Sequence, residues 1–117
     1  PLPPPSHLYK ILPSAPPTPL PHTLPLSDLD RTDGFIHLST SSQVPGTAEK
    51  FFAEFEELWL LKINYKELVD GSGELKWEEV GRGCFAHLYG MDLGAANVKE
   101  VVRAERGEGW GGLVLEW

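Results

Sequence analysis

Phe35-Ile36-His37-Leu38 returns as Phe85-Ala86-His87-Leu88, so two of the chain's four histidines sit in one Phe-x-His-Leu frame. In extended backbone each histidine shares a face with the phenylalanine two residues before it and with a hydroxyl group two residues after it, Ser39 in one case and Tyr89 in the other. Ile36 and Leu38 take the opposite face. An imidazole held in such an apolar strand needs a hydrogen-bond partner, because leaving it unsatisfied costs roughly 1–3 kcal/mol. The repeat therefore predicts one shared small-molecule pocket with aromatic walls and a few polar tips. The competing reading is a pair of core histidines bonded to backbone carbonyls.

Other groups add to this candidate site. Ser39, Thr40, Ser41 and Ser42 run into a helix, where hydroxyls and free N–H groups suit a phosphate or carboxylate, or simply cap the helix. Glu78 follows Trp77 in Lys-Trp-Glu-Glu-Val, where an indole neighbour predicts a partly buried carboxylate of raised pKa; the alternative is an exposed strand edge. Lys10 in the first strand and Arg82 in a glycine-flanked loop are the basic residues placed to neutralise a ligand. His37, His87 and Glu78 also satisfy a mononuclear metal template, but without a short ligand spacing such as H-E-x-x-H. No G-x-S-x-G, P-loop or G-x-G-x-x-G occurs. The single cysteine, Cys84, excludes an intrachain disulfide and is expected as a small buried apolar group.

The elements that must position these groups can be read from the pattern. Ten of the eleven prolines fall within residues 1–25, which forbids a regular helix across that segment. Within it, residues 8–12 are proline-free and apolar enough for a short strand. Turn formers in Leu-Ser-Asp-Leu-Asp-Arg-Thr-Asp-Gly lead to the first histidine strand. Val44, Ala48, Phe51, Phe52 and Phe55 recur at helical spacing and predict an amphipathic helix ending near Phe55 or Glu56, with Pro45 near its start. Leu58-Trp59-Leu60-Leu61-Lys62-Ile63 reads as a strand buried on both faces. A turn or single helical turn, a strand over Leu75–Val80, the second histidine strand and a strand around Val98–Arg103 follow. The sum is an α+β fold, mostly β with one main amphipathic helix.

Length bounds the chain to one domain, a proline-rich segment at 1–25 and a core at 26–117. The net charge of −7 opposes nonspecific binding to nucleic acid. No apolar run approaches the roughly 20 residues of a membrane span, so a cytoplasmic protein is expected. A first residue of proline suggests a trimmed chain or a piece of a longer one.

Tyr9-Lys10-Ile11-Leu12, Asp33-Gly-Phe-Ile-His-Leu-Ser-Thr40, Val44-Pro-Gly-Thr-Ala-Glu-Lys-Phe-Phe52 and Cys84-Phe-Ala-His-Leu-Tyr-Gly90 resemble successive blocks of domain-of-unknown-function family 952 (DUF952), from about Leu8 to Arg103. That family typically carries a helix after its first strand, where this chain has prolines. The family resembles the ADP-ribosyltransferases in fold, and the Phe35–Phe52 region is similar to the H-I-H-L strand and helix of the tRNA 2′-phosphotransferases. The resemblance implies a split, twisted, mostly antiparallel sheet whose cleft takes NAD or an ADP-ribose-like nucleotide as substrate, with no certain cofactor. His37 would match the second histidine of that motif, while Phe35 replaces the first. The implied ligand contacts are Tyr9, Lys10, Phe35, Ser39 to Ser42, Trp77, Arg82, Phe85 and Tyr89. The implied catalytic groups are His37, His87 and Glu78, the last standing in for the transferase glutamate. The activity implied is ADP-ribosyl transfer or NAD glycohydrolysis; a degenerate module that binds a ligand or a protein without turnover is the alternative.

Overall fold

The computed structural model describes residues 4–81 and 83–117. Its strands are β1 (His7–Leu12), β2 (Ile36–Leu38), β3 (Glu57–Asn64), β4 (Glu74–Val80), β5 (Gly83–Tyr89) and β6 (Val98–Glu105). Three short helices intervene, α1 (Asp28–Asp33), α2 (Val44–Phe51) and α3 (Tyr65–Val69), and a 3-10 turn covers Trp110–Gly112. The strands form two antiparallel three-stranded sheets, β1-β3-β6 and β2-β5-β4. Where they meet, Tyr9 and Ser39 exchange backbone hydrogen bonds of 2.8 and 2.9 Å. This is the α+β class expected from the sequence, with the sheet split in two.

The apolar run of β3 explains the layering. Leu61 and Ile63 enter one core cluster with Leu8, Ile36, Leu38, Ala86 and Leu88. Leu58 and Leu60, of opposite parity, enter a second cluster with Tyr9, Val44, Ala48 and Trp110. The first sheet is thus covered on both faces, as a strand without polar alternation requires. The second sheet gives Ile36, Leu38, Ala86 and Leu88 to the core. Its other face is left for polar and aromatic groups.

Helix α2 is shorter than its apolar spacing predicts. Only Val44 and Ala48 are buried, the helix ends at Phe51, and Phe51 and Phe55 are exposed. Phe51 closes the helix on its exposed side, and Phe55 lies past its end, where the chain runs on toward β3. Helix α1 replaces the turn expected at Leu26–Gly34. Ser27 Oγ caps it by accepting from Asp30 N–H, and Gly34 closes it at φ +81°, a left-handed conformation that favours glycine.

The proline-rich segment is docked against the body. Leu24 N–H donates to Leu93 O at 2.7 Å, and Ala95 N–H donates to Pro21 O at 2.9 Å. Between them the backbones approach so closely that a Cβ on Gly94 would lie 1.8 Å from His22 O. Cys84 is exposed rather than buried. It shares the strand parity of Ala86 but lies beyond the edge of the core, near the β4–β5 turn. No helix among the described residues is long and apolar enough to cross a membrane.

Candidate functional site

Antiparallel pairing of β2 with β5 places His37 directly opposite His87, with Ile36 opposite Leu88 and Leu38 opposite Ala86. Period-2 alternation then puts both imidazoles on the outer face of the second sheet. Their ring centroids are 5.3 Å apart, edge to face. Phe35 sits over them, stacked on His87 at 4.1 Å, 4.6 Å from His37 and 5.1 Å from Tyr89. The two Phe-x-His-Leu frames do converge.

Each imidazole is held by carboxylates from a different element. Strand β4 supplies Glu78, whose Oε1 accepts from His87 Nδ1 at 2.8 Å and from Tyr89 OH at 2.6 Å. Helix α1 supplies Asp30 and Asp33, which lie 2.7 Å from His37 Nδ1 and 3.0 Å from His37 Nε2 respectively. Both nitrogens of His37 thus face carboxylate oxygens. Asp30 also accepts from His37 backbone N–H at 3.3 Å, and its Oδ2 pairs with Lys10 Nζ at 2.6 Å.

The electrostatics follow from these bonds. Burial pushes the Asp30 carboxyl up, but the hydrogen bond and charge of Lys10 and the hydrogen bonds from His37 outweigh it and hold the group below the usual carboxylate range. The Tyr89 and His87 hydrogen bonds likewise hold the Glu78 carboxyl low. This reverses the raised value expected from Trp77. Residues 77 and 78 point to opposite faces of β4, so the indole rests near Tyr65 at 6.4 Å instead of against the carboxylate. The Tyr89 phenol is pushed up to about 12, chiefly by its hydrogen bond to Glu78. Replacing Glu78 with glutamine is expected to return that phenol toward its ordinary value near 10. Tyrosinate absorbance against pH reads the change, and an unmoved titration would mean that Glu78 does not hold Tyr89.

Other expected contacts fall in several places. Phe85 lies opposite Glu78 in register, on the same face as His87. Lys10 reaches the site only through Asp30. Tyr9 does not reach it: its side chain is buried in the second cluster, and its hydroxyl donates to Glu116 O at 2.7 Å. Trp77 is on the wrong face. Ser39, Thr40 and Ser41 are buried and Ser42 is exposed, so the hydroxyl run is not an open cradle. Its helix is not capped by a hydroxyl either: the N-cap is Gln43, which makes no side-chain capping bond and accepts instead from Thr40 N–H at 3.0 Å. Arg82 lies outside the described residues. Among those residues no three His, Cys, Asp or Glu groups are arranged to hold a metal ion. Both ring nitrogens of His37 face carboxylates, and the Glu78 carboxylate is taken by His87 and Tyr89.

Residues 21–104 match the family model described as "Protein of unknown function (DUF952)". The chain belongs to that family. The crystal structure of protein CC0527 from Caulobacter crescentus is similar, with 31% identity over 85% of this chain and 84% of that one and a TM-score of 0.63. A double mutant of CC0527 matches at 30% identity with the same coverage and TM-score. No curated protein matches this chain. The family match stops short of β1, so Lys10, which anchors Asp30, lies outside the matched span while His37, Glu78, His87 and Tyr89 lie inside it.

Proposed function

We propose that this DUF952 domain binds a nucleotide, NAD or a related ADP-ribose-bearing molecule, on the face shared by Phe35, His37, Glu78, His87 and Tyr89, and cleaves or transfers at its N-glycosidic bond. The observation that carries the reading is the Glu78 carboxylate, held by Tyr89 and His87, with the Phe35 ring stacked on that same His87. An ionised carboxylate next to a flat apolar ring suits a substrate whose ribose develops positive charge as a planar leaving group departs. His37, paired with Asp30 and Asp33, supplies a donor-rich edge for ribose or phosphate oxygens once one of those pairs opens. His87 positions Glu78.

Amide-resolved NMR titration with NAD tests the binding, and nicotinamide release tests the chemistry. Shifts confined to residues 35–42, 78 and 85–89 together with release support the reading. No shift at millimolar NAD overturns it. One observation favours a binding module without turnover: both ring nitrogens of His37 already face carboxylates, so a ligand must displace one to reach the imidazole. That module shows the same NMR shifts and no nicotinamide release.

A further inference from the structure

On the far side of Asp30 from His37 lies a cavity of about 340 Å³, bounded by residues 12–17, by 24–27 and by Ile36, Leu61 and Leu93. This is the low end of the range for small-molecule sites, and at roughly 30 Å³ per water-sized group it has room for about ten heavy atoms. One wall comes from the proline-rich segment. Pro13, Pro16 and Pro17 carry no N–H, so that wall offers apolar surface with few backbone donors. The main polar feature inside is the Lys10–Asp30 pair, whose side chains are 12% and 2% exposed.

The bonding capacity of that pair is lopsided. Asp30 already receives Lys10 Nζ, His37 Nδ1 and His37 N–H. The Lys10 ammonium carries three donors and spends one on Asp30, which leaves donors on a side chain that lines the cavity. Its charge, by contrast, is already balanced. A ligand carboxylate there would set a surplus negative charge beside Asp30, and a ligand ammonium would meet Lys10; both are unfavourable against a pair that is itself buried. A neutral acceptor meets neither penalty.

We propose that this cavity is a binding site for a small, neutral, largely apolar molecule of ring size, whose carbonyl or similar acceptor takes a hydrogen bond from Lys10 Nζ. The proline-rich segment is then a functional wall. The site is separate from the histidine face and does not depend on the activity assigned there. Asp30 joins the two, with one carboxylate oxygen on each side.

The test is an NMR titration of the whole chain with three ring compounds that differ only in head group: benzamide, benzoate and benzylamine. Benzamide is expected to shift the amides of Leu24, Leu26, Ile36, Leu61 and Leu93 at millimolar concentration, with benzoate and benzylamine at least several-fold weaker. Lys10→Met should weaken benzamide about tenfold, the scale of a hydrogen bond to a charged donor. Because that variant strands Asp30 and can fail to fold, Ala15→Trp serves as the second variant. It narrows the cavity from an exposed position, leaves the ion pair untouched, and should reduce benzamide binding to a similar degree. Equal binding of the three compounds, shifts on the histidine face instead, or no shifts at all would overturn the proposal.

Discussion

Asp30→Ala is expected to destabilise the domain by about 3–5 kcal/mol, the cost of stranding one partner of a buried ion pair. In a domain of this size that lowers the melting temperature by on the order of 10 °C or more. The size of the effect follows from position. Asp30 is 2% exposed, and its two oxygens hold Lys10, the His37 ring and the His37 backbone together. Removing it leaves an ammonium with its side chain only 12% exposed and without its counter-ion. The double variant Lys10→Met/Asp30→Leu should recover much of the loss, since a buried pair replaced by apolar side chains is often near neutral. The same residue sets a pH dependence. Its folded-state pKa is depressed, so its contribution is fully present above the unfolded value near 3.9 and is lost as pH falls through the folded value. Calorimetric melts of wild type and Asp30→Asn across the acid range should converge as pH falls. An Asp30→Ala protein melting within a degree or two of wild type would show that the carboxylate is not the hub the geometry makes it.

That hub was not legible in the sequence, although the helix carrying it was partly written there. Ser27 before the helix, acidic residues in its first turn and Gly34 after it are ordinary start and stop signals. Six residues are too few to display a 3.6-residue apolar period, so the same letters read as a turn. Which aspartate turns inward depends on Lys10, twenty residues away in strand β1, and local pattern carries no such information. Phe51 and Phe55 failed in the opposite sense. Their spacing is helical, but Phe51 closes the helix on its exposed side and Phe55 lies past its end, so both are exposed.

Sheet parity explains the rest. The near-continuous apolar run of β3, interrupted only by Lys62, could be placed between two layers because both parities are apolar, and Leu58 with Leu60 and Leu61 with Ile63 enter the two clusters. The two Phe-x-His-Leu frames could be assigned faces for the same reason. Their register could not, and a slip of one residue would have separated His37 from His87. Trp77 and Glu78 show the converse error, since neighbours in a strand face apart. Glu78 belongs with Tyr89 and His87, eleven and nine residues later, not with the indole beside it.

Glu78→Gln is the substitution expected to act most on chemistry. If nicotinamide is released, losing the carboxylate that faces developing positive charge should slow release by roughly 10²–10³-fold, the scale of one preorganised electrostatic group. Binding of NAD should change far less, because glutamine keeps the oxygen that Tyr89 and His87 donate to. The fold should hold too, since Glu78 lies on an edge strand and is partly exposed. A role confined to structure predicts the reverse pattern: a lower melting temperature, weakened NAD shifts and an unchanged release rate per bound molecule. Tyr89→Phe separates the two further. It removes one of the two hydrogen bonds that keep Glu78 ionised, so the acid limb of the pH–rate profile should move upward while the maximum changes modestly. An acid limb that stays in place would assign the ionisation to a group other than Glu78 and move the chemistry away from β4.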